Sequence, residues 1–240
     1  MMFQKFIRIF SKNPNREQTI LRRISTILEF KRKDEFRILD DGTGRGVIAR
    51  GLSNRGTTIG IDQTSEFAKK RNKRGNPQFL RAVGEFLPFK PNSFNVIISQ
   101  MVLEHVFEVK KYLKEIYGVL ELKGILYLAF PNRGFPIEPH TKIPIIPYLP
   151  HKLFQKIVNA KIGKKYPLNY LSYTTLKVIS GVGFNKVRDL VPIFLKNQHR
   201  FYPAVPPFIC RLLVKVYWIA RFFIPTWIWL LEKTWNIKWS

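Results

Sequence analysis

The feature that most constrains this chain is a run of three alternating glycines directly after a short apolar stretch. Arg37-Ile38-Leu39-Asp40 reads as a strand and runs into Asp40-Asp41-Gly42-Thr43-Gly44-Arg45-Gly46. Gly42, Gly44 and Gly46 carry no Cβ, so the backbone there can turn tightly and approach a ligand closely. Val47 to Leu52 then begins a helix. A glycine loop between a strand and a helix is where α/β folds place nucleotide ligands. The spacing here is G-x-G-x-G. A dinucleotide fingerprint is G-x-G-x-x-G, so the third glycine comes one residue early for it. A phosphate-cradling loop would continue Gly-Lys-Ser/Thr, and Arg45-Gly46-Val47 does not. Taken alone, the loop is either a ligand site or a plain strand-to-helix turn.

Asp62 adds a second constraint. Thr57-Thr58-Ile59-Gly60-Ile61-Asp62 reads as a second strand ending in an acid. A carboxylate at that place can accept hydrogen bonds from both ribose hydroxyls of a nucleoside. It is equally well placed to cap the helix that follows. Loop and acid together point to a nucleoside more strongly than either alone.

Strands and helices alternate from 37 to 130. Residues 16–33 read as a helix, with Ile20, Ile24, Ile27 and Leu28 at helical spacing. After Asp62 comes a basic helix carrying Lys69, Lys70, Arg71, Lys73 and Arg74. Gln78 to Ala82 and Phe94 to Ser99 read as strands. Val96, Ile97 and Ile98 form a continuous run, which predicts a strand buried on both faces. A helix from Val109 to Leu120 leads through a turn at Lys123-Gly124 to a strand from Ile125 to Phe130. The alternation predicts a parallel, doubly wound sheet with helices on both faces.

Beyond Pro131 the texture changes. Residues 131–172 are rich in proline and basic residues and read as an insertion on the substrate side, with one helix near Lys152 to Lys161. Thr174 to Ser180 reads as a further helix and Lys186 to Val191 as a strand. Residues 197–240 read as an aromatic, basic, helical C-terminal segment that holds all five tryptophans. In a helix from Phe208 to Phe223, Arg211, Lys215 and Arg221 share one side, and Leu212, Val216, Ile219 and Phe223 lie outside it. That pattern suits an interfacial membrane anchor, and it suits a helix capping the core with its cations pointing outward.

Composition narrows the function. The chain has 41 Lys+Arg against 16 Asp+Glu, a net charge of +25. Such an excess attracts polyanions, either nucleic acid or an anionic membrane surface, and it also serves plain solvation. The single cysteine, Cys210, excludes an internal disulfide and a cysteine-clustered zinc site, and no metal ligand set is read from the sequence. It fits a reducing, cytoplasmic location. The apolar residues Phe3 to Phe10 are interrupted by Lys5 and Arg8, so no signal peptide is expected. No stretch reaches the roughly 18 apolar residues of a spanning helix.

The remaining motifs carry a family resemblance. Gly84-Glu85-Phe86-Leu87-Pro88-Phe89, Ser93-Phe94 and Leu103-Glu104-His105 follow the glycine loop and Asp62 in order, and Leu120-Glu121-Leu122-Lys123-Gly124 leads into the fifth strand. With these, residues 37–131 resemble the class I S-adenosylmethionine-dependent methyltransferases, in the subgroup similar to ubiquinone/menaquinone-biosynthesis enzymes. The resemblance implies a Rossmann-like fold for 1–196 and S-adenosylmethionine as cofactor. It implies that Gly42, Thr43 and Gly44 border the methionyl part, with Asp40 holding its amino group directly or through water. Asp62 would hold the ribose, Gln63 and Glu85 would flank the adenine, and Ser99 and Gln100 would lie near the reacting centre. Three positions depart from the family pattern. Val83 stands where an acid near the adenine is usual, Thr43 replaces a cysteine, and Asn95 replaces an aspartate.

Two histidines are candidates for proton transfer. His140 lies in the insertion with Glu138, where the acceptor side of such folds is built. It is read as a base or as an exposed loop residue. His105 ends the Leu-Glu-His motif and is read as a base or as a packing residue. The expected function is methyl transfer to a small, lipidic or lipid-linked acceptor, with an anionic membrane surface as partner, peripheral to the inner face. RNA methylation is the alternative that the charge offers. The Asn/Asp-Pro-Pro-Tyr/Phe motif of many amino-methylating enzymes is absent at Ser99-Gln100-Met101, which speaks against it. A non-catalytic protein keeping the fold is the third reading.

Overall fold

The computed structural model describes residues 16–31, 35–69, 77–138, 140–163, 175–203, 205–222 and 224–234. Its first helix, α1 (Arg16–Lys31), buries Thr19, Ile20, Ile24 and Leu28, a stripe at three- and four-residue spacing. Strand β1 (Phe36–Asp41) enters the glycine loop, and α2 (Val47–Leu52) leaves it. Strands β2 (Gly56–Asp62), β3 (Gln78–Arg81) and β4 (Phe94–Gln100) follow. A 3-10 turn at Leu103–His105 leads to α3 (Val109–Val119), which buries Tyr112, Leu113, Ile116 and Val119. Then come β5 (Leu120–Pro131), α4 (His151–Ile162), α5 (Thr175–Val182) and β6 (Phe184–Asp189). Short helices α6 (Val191–Lys196), α7 (Gln198–Phe201), α8 (Pro207–Lys215) and α9 (Tyr217–Ala220) precede β7 (Thr226–Lys233).

The seven strands form one sheet in the order β3-β2-β1-β4-β5-β7-β6. β1 to β5 are parallel, and β7 runs antiparallel between β5 and β6. This is the doubly wound, mainly parallel architecture that the alternation predicts. The strand order reverses at β1/β4, so the carboxyl ends of β1 and β4 border the crevice where such sheets take ligands. Val96, Ile97 and Ile98 are buried, as expected of a central parallel strand. The expected turn at Lys123-Gly124 is absorbed into β5. Lys123 adopts a left-handed φ of 62°, and the β4 register jumps between Phe94 and Val96 opposite it. Pairing passes from Phe94–Leu120 to Val96–Ile125, so the extra residues of β5 make the expected turn within the strand.

Three expectations need correction or restriction. After Asp62 the described chain has only a 3-10 turn at Glu66–Lys69; Lys70, Arg71, Lys73 and Arg74 of the expected basic helix lie outside the described residues. Residues 197–240 are not a helical appendage throughout. Helix ends at Ala220, and Thr226–Lys233 is a strand inside the sheet. The physical reason lies in Thr226-Trp227-Ile228-Trp229-Leu230-Leu231, which is β-branched and aromatic and follows Pro225. Paired on both sides, it buries Trp227, Ile228, Trp229 and Leu231. Those two tryptophans are core residues and not membrane anchors. Trp235 and Trp239 lie outside the described residues.

Lys233 locks β7 in place. Its Nζ donates to Asn92 Oδ1 at 3.0 Å, Tyr117 O at 2.8 Å and Leu120 O at 2.6 Å. The insertion after β5 packs on a small core of its own, in which Ile146, Phe154 and Val158 are buried.

Candidate functional site

The glycine loop is built from hydrogen bonds to its own strands. Gly42, Gly44 and Gly46 all have left-handed φ, of 73°, 51° and 76°. A Cβ on Gly42 would lie 2.3 Å from Val102 Cγ2, so the turn needs glycine for space as well as for φ. Gly44 differs: a Cβ there would meet nothing within 4 Å. Its open side is where a ligand can come against bare backbone. Thr43 N–H donates to Ile61 O at 2.8 Å, which pins the loop to β2.

Asp40 faces inward. Its Oδ2 accepts the Thr43 hydroxyl at 2.6 Å and the Ala49 N–H at 3.1 Å. Burial raises its carboxyl from 3.8 to about 7, while those two hydrogen bonds oppose the rise. Asp41, to which the sequence reading gave no role, is also buried, and burial lifts it to about 7. The Tyr112 hydroxyl lies 2.6 Å from Asp41 Oδ2 and 2.7 Å from Ser99 Oγ. A phenol has one proton, which goes to the carboxylate, so Ser99 donates to the phenol oxygen. Ser99 is fully buried; its side chain braces β4 against β1 through Tyr112. Tyr112 comes from α3 and carries no motif, so nothing in the sequence marked it.

Asp62 is divided between loop and turn. Its Oδ2 accepts Gly44 N–H at 2.8 Å, and its Oδ1 accepts the Thr64 N–H and hydroxyl, each at 2.8 Å. The carboxylate thus ties the turn after β2 to the glycine loop. Gln63 is exposed beside it. Val83, in the place of the family's acid, is half-exposed and bridges to Phe86. Glu85 Oε1 accepts Phe107 N–H at 2.7 Å. Gln100 ends β4 with its Oε1 buried and without a hydrogen-bond partner among the described residues. An orphaned buried acceptor at the carboxyl end of β4 fits a polar ligand with donors of its own. S-adenosylmethionine, with an amino group and ribose hydroxyls, is such a ligand.

A second cluster forms where the β4 exit meets the insertion. Glu138 is fully buried, and its Oε1 lies 2.8 Å from His140 Nδ1 and accepts His140 N–H at 2.9 Å. Its Oε2 accepts Thr141 N–H. A carboxylate accepts only, so Nδ1 carries the proton in this pair. The His140 ring meets His105 edge-on, with centroids 5.5 Å apart. Glu104 lies next to both. It is 1% exposed, and burial lifts its carboxyl from 4.5 to about 7, against the charges of His140 and Arg16. Neither of its oxygens has a hydrogen-bond partner among the described residues. Glu104, His105 and His140 each offer one ligand atom, all within 4.8 Å of one another, so the cluster has the donors to hold a cation. The sequence reading named both histidines but treated them apart. They are distant in the chain, and only the end of β4 and the segment after β5 bring them together.

Comparisons with known proteins bear on the family and the fold. Residues 39–128 match a family described as "Methyltransferase domain". A ubiquinone biosynthesis O-methyltransferase of Bartonella tribocorum is 29% identical over 207 residues, covering 77% of this chain and 81% of that protein. A ubiquinone/menaquinone biosynthesis C-methyltransferase of Sinorhizobium fredii is 31% identical over 118 residues, 44% of this chain and 46% of its own length. Among solved structures, an S-adenosylmethionine-dependent methyltransferase from Mesorhizobium loti superposes with a TM-score of 0.59 at 16% identity. It covers 87% of this chain and 96% of that one. The sequence matches bear on chemistry; the structural match bears on the fold.

Proposed function

We propose that this chain, a class I S-adenosylmethionine-dependent methyltransferase, methylates a small, lipidic or lipid-linked acceptor at a membrane surface, with His140 as proton acceptor. Its cofactor is S-adenosylmethionine, which supplies an activated methyl group on a sulfonium. Gly42, Thr43 and Gly44 would hold the methionyl part against open backbone. Asp62 would take the ribose, Gln63 and Glu85 the adenine side, and Gln100 a donor near the reacting centre. In this reading Asp40 and Ser99 act from behind, by fixing the loop and the end of β4.

The observation that carries the chemistry is the Glu138–His140 pair, 2.8 Å apart, at the mouth of the insertion. Much of the rate of methyl transfer comes from positioning, and a base matters where the acceptor must lose a proton. Buried Glu138 holds the imidazole in one tautomer and one orientation. His140 Nε2 then takes the proton from an acceptor hydroxyl, and the resulting imidazolium is stabilised by the carboxylate behind it. The relatives named above act in ubiquinone biosynthesis, which favours a lipidic acceptor here. The net charge of +25 favours an anionic surface. Among the described residues no helix is long and apolar enough to cross a membrane.

The test is to incubate the protein with methyl-labelled S-adenosylmethionine and cell extract, then separate lipid, RNA and small polar fractions. Label in the lipid fraction is expected. Label in RNA alone would replace the acceptor class, and no label in any fraction would remove the catalytic reading.

A further inference from the structure

The helical segment before β7 has two apolar faces, and only one of them is used. Cys210, Leu213, Val214, Tyr217 and Ala220 turn inward towards the main core. On the other side Phe208 is 64% exposed, Leu212 57%, Val216 37% and Ile219 45%. Those four recur at four, four and three residues, so they form one stripe along the outer face of α8 and α9. Trp218 at 69% and Phe222 at 41% flank it. A helix that only capped the core would put its polar residues there. The cations Arg211 and Lys215 are exposed alongside the stripe.

We infer that this outer face docks the protein on an anionic phospholipid membrane. A bare apolar stripe with tryptophan and flanking Arg and Lys is what an in-plane interfacial helix presents to lipid. The net charge of +25 supplies the attraction. The segment that carries this face is also tied to the insertion. Asn132, just beyond the carboxyl end of β5, holds its amide NH2 among the carbonyls of Arg221, Phe222 and Ile224 at 3.1, 3.0 and 2.8 Å. Two residues on, Gly134 O accepts the Tyr148 hydroxyl of the insertion at 2.6 Å. The docking face and the insertion that carries His140 are thus tied to the same short segment, on the sheet rim that holds the glycine loop. A lipidic acceptor would reach His140 without leaving the membrane surface. The docking locates the membrane contact of the proposed function, and that last step rests also on its lipidic acceptor.

The test uses sedimentation with vesicles of phosphatidylcholine, with and without phosphatidylglycerol, at physiological salt. Wild type is expected to partition onto the anionic vesicles at least about tenfold more strongly than onto neutral ones. The double variant Leu212→Ser/Trp218→Ser should lose about tenfold or more of that partition. Its melting temperature and S-adenosylmethionine affinity should stay at wild-type values. In wild type, brominated acyl chains should quench tryptophan emission, and Trp218→Phe should abolish most of the quenching. Equal vesicle binding by the double variant would overturn the inference. So would wild type that ignores vesicles and sediments with RNA, or one that self-associates through this face. If vesicle binding fails while methyl label still enters a detergent-dispersed lipid fraction, the docking and the membrane-surface setting fall while the lipidic acceptor stands.

Discussion

The proposed cofactor side and the proposed acceptor side of this molecule share one sheet rim but are built on different terms. The cofactor side, from β1 to the end of β4, is held by short-range bonds between neighbouring strands and one loop. Asp40, Thr43, Gly44 and Asp62 all bond within that unit. The acceptor side is assembled from parts far apart in sequence. Glu104 and His105 come from the β4 exit, Glu138 and His140 from the insertion, and Asn132 is gripped by the segment that feeds β7. In the proposed roles, binding of the cofactor depends on local geometry, whereas chemistry on the acceptor depends on tertiary assembly. The two should be separable by mutation.

The largest break in that comparison is removal of β7. Truncation after Ala220 leaves β5 and β6 without the strand between them, and cooperative thermal unfolding should disappear. The point-mutant form contrasts two tryptophans of one segment. Trp227→Ala empties a buried site and should cost about 3–5 kcal/mol in chemical denaturation. Trp218→Ala removes an exposed ring and should stay within about 0.5 kcal/mol. Equal costs would mean that the segment is not divided into core strand and free helix face.

Next in size is the acceptor-side chemistry. His140→Ala should lower turnover by about a hundredfold to ten-thousandfold, the usual contribution of a general base. Glu138→Gln should lower it by about tenfold to a hundredfold, because the imidazole loses its orienting carboxylate. Steady-state kinetics with a lipid acceptor checks both. On the cofactor side, Asp62→Asn should weaken S-adenosylmethionine binding by about tenfold, through a looser Gly44. The acceptor KM should not move.

The smallest effect is on pH dependence. Burial holds Asp40 and Asp41 near 7 in the fold, from an ordinary 3.8. Between those values the unfolded chain is ionised and the folded chain protonated. Their favourable share of stability is therefore complete below about 3.8 and is lost as the pH rises towards 7. Asp41→Asn removes one of the two. Its melting temperature should fall less than that of wild type between about pH 5 and pH 7.5. A parallel fall in both proteins would mean that Asp41 is already ionised.

Much of the cofactor side was legible in the sequence because its signals are local. The G-x-G-x-G run, the acid ending β2 and the apolar run of β4 each declare themselves within a few residues. The brace from Asp41 through Tyr112 to Ser99 did not, because a tyrosine on a helix carries no sign of what it will face. The histidines were visible singly, but their meeting depends on how the insertion folds back. The tail misled for a physical reason. Helical spacing around 208–219 is real, yet the aromatic run after Pro225 is a strand, and both look equally apolar and aromatic in composition. Only burial separates Trp227 from Trp218.

The separation of the two sides is tested most directly by calorimetric titration of S-adenosylmethionine into wild type and His140→Ala. Both should bind one equivalent with the same affinity, although only wild type turns over. Absence of binding to wild type, or a loss of affinity in His140→Ala that matches its loss of turnover, would contradict it.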